Sequence, residues 1–231
     1  MIRHTTTPGW VYSGGLVLAT TAGAINAAGF LGQHHQALSH MSGSVTLLGM
    51  ELARANYGIA FHAFAILAAF FFGCLISGAI IRQSSLRIGR RYGVVLSLES
   101  ATLFLAVYFL RQGASLGDYL AAMACGLQNA MVTTYSGSTM RTTHMTGMVT
   151  DLGIACGHFL RGTTVDWFRF RIYGVLFLGF FGGGVIGTFS YGRFGYDTLI
   201  FPAVLSGVTG VSYTLYKHSQ HLRKSTGRRT L

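Results

Sequence analysis

Apolar residues in this chain neither alternate nor keep to one helical face; they run together in long stretches broken by short polar or basic segments. Six stretches, Trp10–Leu31, Tyr57–Ile81, Tyr92–Leu110, Asp118–Tyr135, Ile172–Tyr191 and Thr198–Tyr216, have close to the length a helix needs to cross hydrocarbon, which is about 20 residues at 1.5 Å rise. Two shorter stretches, Met41–Arg54 and Met145–Arg161, do not fit that pattern. A helix over the first would be about 21 Å long against roughly 30 Å of hydrocarbon, and the second is at the margin. The pattern predicts an all-α polytopic membrane helix bundle with six full spans and two short re-entrant or broken helices.

Composition agrees. Of 231 residues, 51% are hydrophobic and 10% charged, where soluble domains carry about 25% charged residues. The 32 glycines lie within the apolar runs and there are only two prolines, a balance expected where helix backbones pack closely. The pairs Gly23/Ala27, Gly73/Ser77, Gly126/Ala130 and Gly183/Gly187 have small-xxx-small spacing, which favours close crossings within a chain or in a homo-oligomer. The three cysteines, Cys74, Cys125 and Cys156, sit in apolar stretches without a CxxC; they read as packing residues, with no disulfide framework. Arg3, the apolar run after it and Ala22-Gly23-Ala24 have the outline of a signal peptide. The run continues to Leu31 and has a later counterpart, so it is expected to remain as the first span.

A net charge of +11 would suit nucleic acid, but the basic residues cluster beside apolar segments, as on the cytoplasmic side of a membrane protein; no nucleic-acid partner is expected. With six spans and the N-terminus inside, the cytoplasmic side receives 14 Lys and Arg residues (Arg3, Arg82, Arg87, Arg90, Arg91, Arg141, Arg161, Arg169, Arg171, Lys217, Arg223, Lys224, Arg228 and Arg229) and the outside 3, Arg54, Arg111 and Arg193. Were all eight segments to span, the split would be 11 to 6. The positive-inside rule therefore favours six spans with both termini cytoplasmic. The basic tail, 218–231, is expected to meet anionic lipid or fix topology.

The chain also repeats itself. Residues 39–49 read SHMSGSVTLLG and residues 143–153 read THMTGMVTDLG: seven of eleven positions are identical, two more are Ser/Thr exchanges, and no gap is needed. Upstream, Gly23-Ala-Ile-Asn26-Ala27 matches Gly126-Leu-Gln-Asn129-Ala130; downstream, FFFGCLI at 70–76 matches FFGGGVI at 180–186. Three matches in one order indicate duplication. One membrane domain is expected, with repeat A over about 10–111 and repeat B over about 118–217. Each half holds three spans, an odd number, so the second half enters from the opposite side as an inverted-topology repeat.

The motif pair HM[ST]G-x-VT-x-LG, with GLQNA before its second copy, resembles the YoaK family of bacterial inner-membrane proteins, a family of unknown function. The resemblance runs from about Gly15 to Tyr216 and is most specific over Asn26 to Gly49 and Gly126 to Gly153. It implies a multi-pass protein of the bacterial plasma membrane and a small-molecule transporter, and names no substrate. The family often has Asp where this chain has Asn26.

Candidate chemistry follows from polar groups at membrane depth. Ser39, Ser42, Thr143 and Thr146 stand at the expected starts of the short helices, where their hydroxyls are placed to cap free N–H groups. Helix starts inside a membrane attract anions, and in an inverted repeat the two could face each other near the midplane, with Gly43 and Gly147 in their first turns. His40 and His144 hold equivalent places and would either relay protons or bond a carbonyl. Asp151 breaks the symmetry, Leu47 being its counterpart; seven residues after His144, it can share that residue's helix face. Glu99 is mid-span wherever the segment ends are drawn, and a carboxyl there is costly unless it serves a cavity or a proton path. Asn26, Gln128 and Asn129 would line a substrate path or bond between helices. His34, His35 and His40 lie close in sequence, but no acid or thiol is near them in the chain, so neither a metal nor a cofactor is expected.

These residues predict a secondary transporter or exporter of a small molecule, proton-coupled through Glu99, His144 and Asp151, with its site near the midplane at the two HM[ST]G motifs. A passive channel, or a membrane-embedded enzyme or scaffold, is the alternative; no nucleophile elbow, P-loop, HExxH or dinucleotide fingerprint stands in a usable context.

Overall fold

The structure, a computed structural model, describes residues 9–81, 90–136 and 141–227. Arg3, Arg82, Arg87, Arg228 and Arg229, which entered the charge count, lie outside the described residues. Eight α-helices follow in order: α1 (Gly9–Leu31), α2 (Met41–Ala53), α3 (Tyr57–Ile80), α4 (Arg90–Arg111), α5 (Leu116–Tyr135), α6 (Met145–Leu160), α7 (Trp167–Phe194) and α8 (Ile200–Gly227). A 3-10 turn, Gly195–Leu199, joins the last two, and no strand occurs among the described residues. Residues 218–227, expected as a tail, continue α8.

Among the described residues, four helical stretches are long and apolar enough to cross a membrane: Val11–Leu31, Tyr57–Ile80, Arg91–Arg111 and the run Trp167–Leu215, which takes in α7 and most of α8. Polar Asp118, Gln128, Asn129, Thr133 and Thr134 dilute the hydropathy of α5, which is not among them. Large apolar side chains cover the outside of the bundle, with Phe61, Phe64, Phe71 and Phe72 on α3 and Phe181 and Phe189 on α7 all exposed. In water such a surface would be unfavourable; the chain is a membrane protein.

Helix pairing crosses between the two duplicated blocks. α1 packs along α7, α3 along α5, and α4 against both α8 and α5. The duplicated glycines make these contacts. A methyl group at Gly23 would overlap the Phe180 carbonyl, and one at Gly126 the Phe70 carbonyl. Gly183 sits in the same way on Thr20 and Gly73 on Met123. Residues matched by the sequence repeat thus make matched contacts, at points where only glycine lets the backbones approach this closely. These small-residue pairs are used within the chain.

The short helices are peripheral. The α2 backbone lies against α3 and that of α6 against α7. α2 begins partway down the bundle. Asn26, more than a turn before the end of α1, accepts hydrogen bonds from Leu38 N (3.1 Å), Ser39 N (3.2 Å) and Ser39 Oγ (3.1 Å), which draws residues 32–40 back along α1. Met41 then packs against the buried cluster that holds Ile25, Leu38 and Ile66. α2 runs from there to the turn at Asn56, where α3 begins.

Two apolar clusters fill the interior. One contains Val11, Ala19, Leu96, Met131 and Leu176, toward the N-terminal end of α1. The other contains Ile25, Leu103, Leu110, Cys125 and Leu199, toward its C-terminal end.

Candidate functional site

Between those clusters, at mid-height, four helices contribute one polar layer. Glu99 of α4 is fully buried. Its Oε1 accepts from Gln128 Nε2 of α5 (3.2 Å) and from Ser206 Oγ of α8 (3.2 Å). The same Gln128 nitrogen donates to Thr21 Oγ1 of α1 at 3.0 Å. Glu99 Oε2 and Gln128 Oε1 are buried without partners. Two donors converge on one carboxyl oxygen and none on the other, so Oε2 can take and release a proton without breaking either bond.

A cavity of about 440 Å³ reaches this layer from one side, with Thr21 and Ser206 among its lining residues. The rest of the lining comes from the first half of α1, the first half of α4, the second half of α5 and α8, so the cavity lies toward the end of the bundle that holds the N-terminus of α1. Its walls are apolar (Val11, Val17, Leu18, Leu96, Met131), with hydroxyls at Ser13, Thr209 and Tyr213. The opposite end is filled by the second apolar cluster. It is tied across the top by Gln33 N donating to Tyr196 OH (2.8 Å) and by Arg111 Nε donating to Asp197 Oδ1 (2.6 Å).

Among the residues singled out from the sequence, Glu99 and Gln128 therefore meet. The others do not gather around them. His40 and His144, not the hydroxyl residues beside them, occupy the N-cap positions of α2 and α6, and neither makes a side-chain cap bond. The expected Ser/Thr capping is corrected: Ser39 and Thr143 precede the caps and are buried, while Ser42, Gly43 and Thr146 are exposed in the first turns. The two short helices make no direct contact with each other, although Met145, at the start of α6, lines one pocket with Asn26 and Phe180.

His40 stacks on Phe180, with ring centroids 5.3 Å apart. His144 is exposed and folds over Gly147. Asp151 is exposed on α6 and interacts with the Tyr173 hydroxyl. Asn129 leaves its side-chain oxygen without a partner, so the hydrogen bonds of its counterpart Asn26 have no copy there.

One grouping was not anticipated. His34, from the loop after α1, meets His62 of α3 and Asp118 of α5. Its neighbour His35 instead bonds the Phe30 carbonyl at 3.0 Å.

A family model described as "Protein of unknown function (DUF1275)" matches residues 14–212. No curated protein and no solved structure matches the chain.

Proposed function

The chain belongs to the DUF1275 family, and on that premise we propose that it is a secondary transporter of a small, largely apolar molecule, coupled to protons through Glu99. One observation carries the reading: a buried carboxyl at mid-height forms part of the layer where an apolar cavity ends, while an apolar cluster packs the interior of the other end of the bundle. Ionisable residues inside membrane helices are costly and mark ion or substrate paths. A cavity of about 440 Å³ falls within the range of small-molecule sites. Its walls suit an apolar body, and the hydroxyls of Thr21 and Ser206, with Glu99 directly behind Ser206, suit a basic or hydrogen-bonding head.

The wider architecture is part of the same proposal: six spans, α2 and α6 as re-entrant helices, and two halves inverted in a bacterial inner membrane with both termini cytoplasmic. The crossed pairing of α1 with α7 and α3 with α5 supports the inversion, as does the start of α2 beside Asn26. With the termini inside, the cavity faces the cytoplasm and the end packed by the second apolar cluster faces out, the arrangement of one of the two states that alternating access requires. The YoaK label stays a resemblance carried by the HM[ST]G pair. In this reading the motif residues hold the re-entrant segments, and the substrate meets Thr21 and Ser206, which hydrogen-bond to Gln128 and Glu99.

The test is flux in proteoliposomes that trap a pH-sensitive dye, challenged with a panel of amphipathic amines. The expected result is saturable, proton-linked uptake of at least one amine that is lost in Glu99→Gln. Flux that never saturates and ignores the substitution indicates a channel. No flux from any member of the panel overturns the transport reading.

A further inference from the structure

At the end of the bundle opposite the cavity, away from Glu99, we propose that His34, His62 and Asp118 form a binding site for a divalent first-row transition ion of the zinc class. The three side chains come from three elements: the loop after α1, the second turn of α3 and the first turn of α5. One donor atom from each lies within 4.8 Å of the others. His34 Nδ1 is 2.7 Å and His62 Nε2 3.9 Å from the same oxygen, Asp118 Oδ2. The two imidazoles lie 4.1 Å apart, centroid to centroid.

The outer nitrogens favour metal binding over a simple hydrogen-bonded cluster. A metal needs each imidazole neutral, with its lone pair turned inward and its remaining N–H held outside by an oxygen. Both rings have an oxygen in that outer place, and His34 Nδ1, which donates to Asp118 Oδ2 in the metal-free structure, would give up its proton as the ion binds. His62 Nδ1 lies 3.0 Å from Tyr119 OH, and His34 Nε2 lies 3.4 Å from Ser115 Oγ. With those contacts made, the inner nitrogens face Asp118. Of these, His62 Nε2 is buried and has no partner, on a side chain that is only 10% exposed. A buried nitrogen turned toward a carboxylate without a hydrogen bond is an unused ligand position.

Little movement is needed. Ligands at about 2.0–2.1 Å from a tetrahedral ion stand about 3.3 Å apart, so His34 and Asp118 separate slightly while His62 closes in. Two nitrogens and one carboxylate oxygen suit zinc, cobalt or nickel better than magnesium or calcium, which prefer all-oxygen shells. Three protein ligands leave a fourth position for water or an exchangeable donor. His34, 31% exposed, lies on the open side, while the other two are 10% and 8% exposed. The ion therefore exchanges with the aqueous phase at this end of the bundle. It would also clamp α1, α3 and α5 together where the cavity is closed.

The test uses the full chain, purified in detergent through a tag without histidine and stripped with chelator, then titrated with Co²⁺ and Zn²⁺. The expected result is one Co²⁺ per chain with the visible absorption of a four-coordinate N/O site, displaced by Zn²⁺. Affinity should fall at least tenfold in His62→Gln and in Asp118→Asn, and be unchanged in His158→Gln, an exposed histidine on α6. Tyr119→Phe preserves the packing and removes only the outer partner of His62; a loss at the low end of the 10–100-fold expected for such groups marks a role a loose surface site would not show. Co²⁺ binding that survives all of these substitutions, or no binding by the folded wild-type chain, overturns the proposal.

Discussion

Gln128 reaches across the centre of the bundle to Glu99, and its single amide nitrogen also holds Thr21, so three helices depend on one side chain. Gln128→Leu removes both bonds, leaving Glu99 Oε1 with Ser206 alone. Each buried polar group stripped of its partner costs about 1–3 kcal/mol. The expected outcome is a clear fall in thermal unfolding temperature in detergent, with a larger fall than in Glu99→Gln, which keeps the shape and an oxygen acceptor. A Gln128→Leu protein as stable as wild type would mean the layer contributes nothing to holding the helices.

The matched glycines make a prediction in two copies. Gly126→Ala places a methyl group against the Phe70 carbonyl, and Gly23→Ala does the same at Phe180. Backbone cannot yield as a flexible side chain would, so each substitution should cost about 1–3 kcal/mol or more through forced helix separation. Gly174→Ala, on α7 with open space around it, should be neutral or slightly stabilising through helix propensity. Measured by thermal unfolding, equal effects at all three sites would show that α1, α3, α5 and α7 do not cross at these glycines.

What was legible in the chain divides along physical lines. Segment length alone separated the two short helices from the long ones, because hydrocarbon thickness is a fixed ruler. Glu99 stood out because an acid at mid-span has few alternatives to a functional or paired role. The helix starts were misread because Ser39 and Ser42 have good capping chemistry, yet the backbone enters α2 through His40 and is held by Asn26 from another helix. The cluster of His34, His62 and Asp118 could not be read at all. Sequence proximity pointed to His35 and His40, while the real neighbours arrive from α3 and α5 once the bundle is packed. An isolated polar residue near a span end, repeated on several helices, was the only trace of it.

The link between Arg111 and Asp197 joins the end of α4 to the turn between α7 and α8. The Arg111 hydrogen bond holds the Asp197 carboxyl below its ordinary value of 3.8. A carboxyl whose folded value is depressed binds fewer protons folded than unfolded. Its contribution is full above the unfolded value and is lost as pH falls through the folded one. Both side chains are exposed, so the contribution is small and screened by salt. Comparing wild type with Asp197→Asn by thermal unfolding in low salt, the difference should be constant above about pH 5 and close progressively below about pH 4. A gap that persists at the lowest pH would place its origin outside this ion pair.

The span count separates at one loop. If α2 and α6 are re-entrant, the turn after α4 lies on the same side as the loop after α1; if both cross, the two loops lie on opposite sides. Gln33 and Gln112 are exposed in those loops, and Thr163 is exposed in the turn after α6. In a background lacking Cys74, Cys125 and Cys156, Gln33→Cys and Gln112→Cys should both react with an impermeant thiol reagent on intact cells, and Thr163→Cys only after permeabilisation. Gln112→Cys carries the decision, because eight crossings put it inside while Gln33→Cys and Thr163→Cys keep their sides. Labelling of Gln33→Cys alone would make the two halves parallel and remove the alternating-access argument, while the buried carboxyl and its cavity would still need a function.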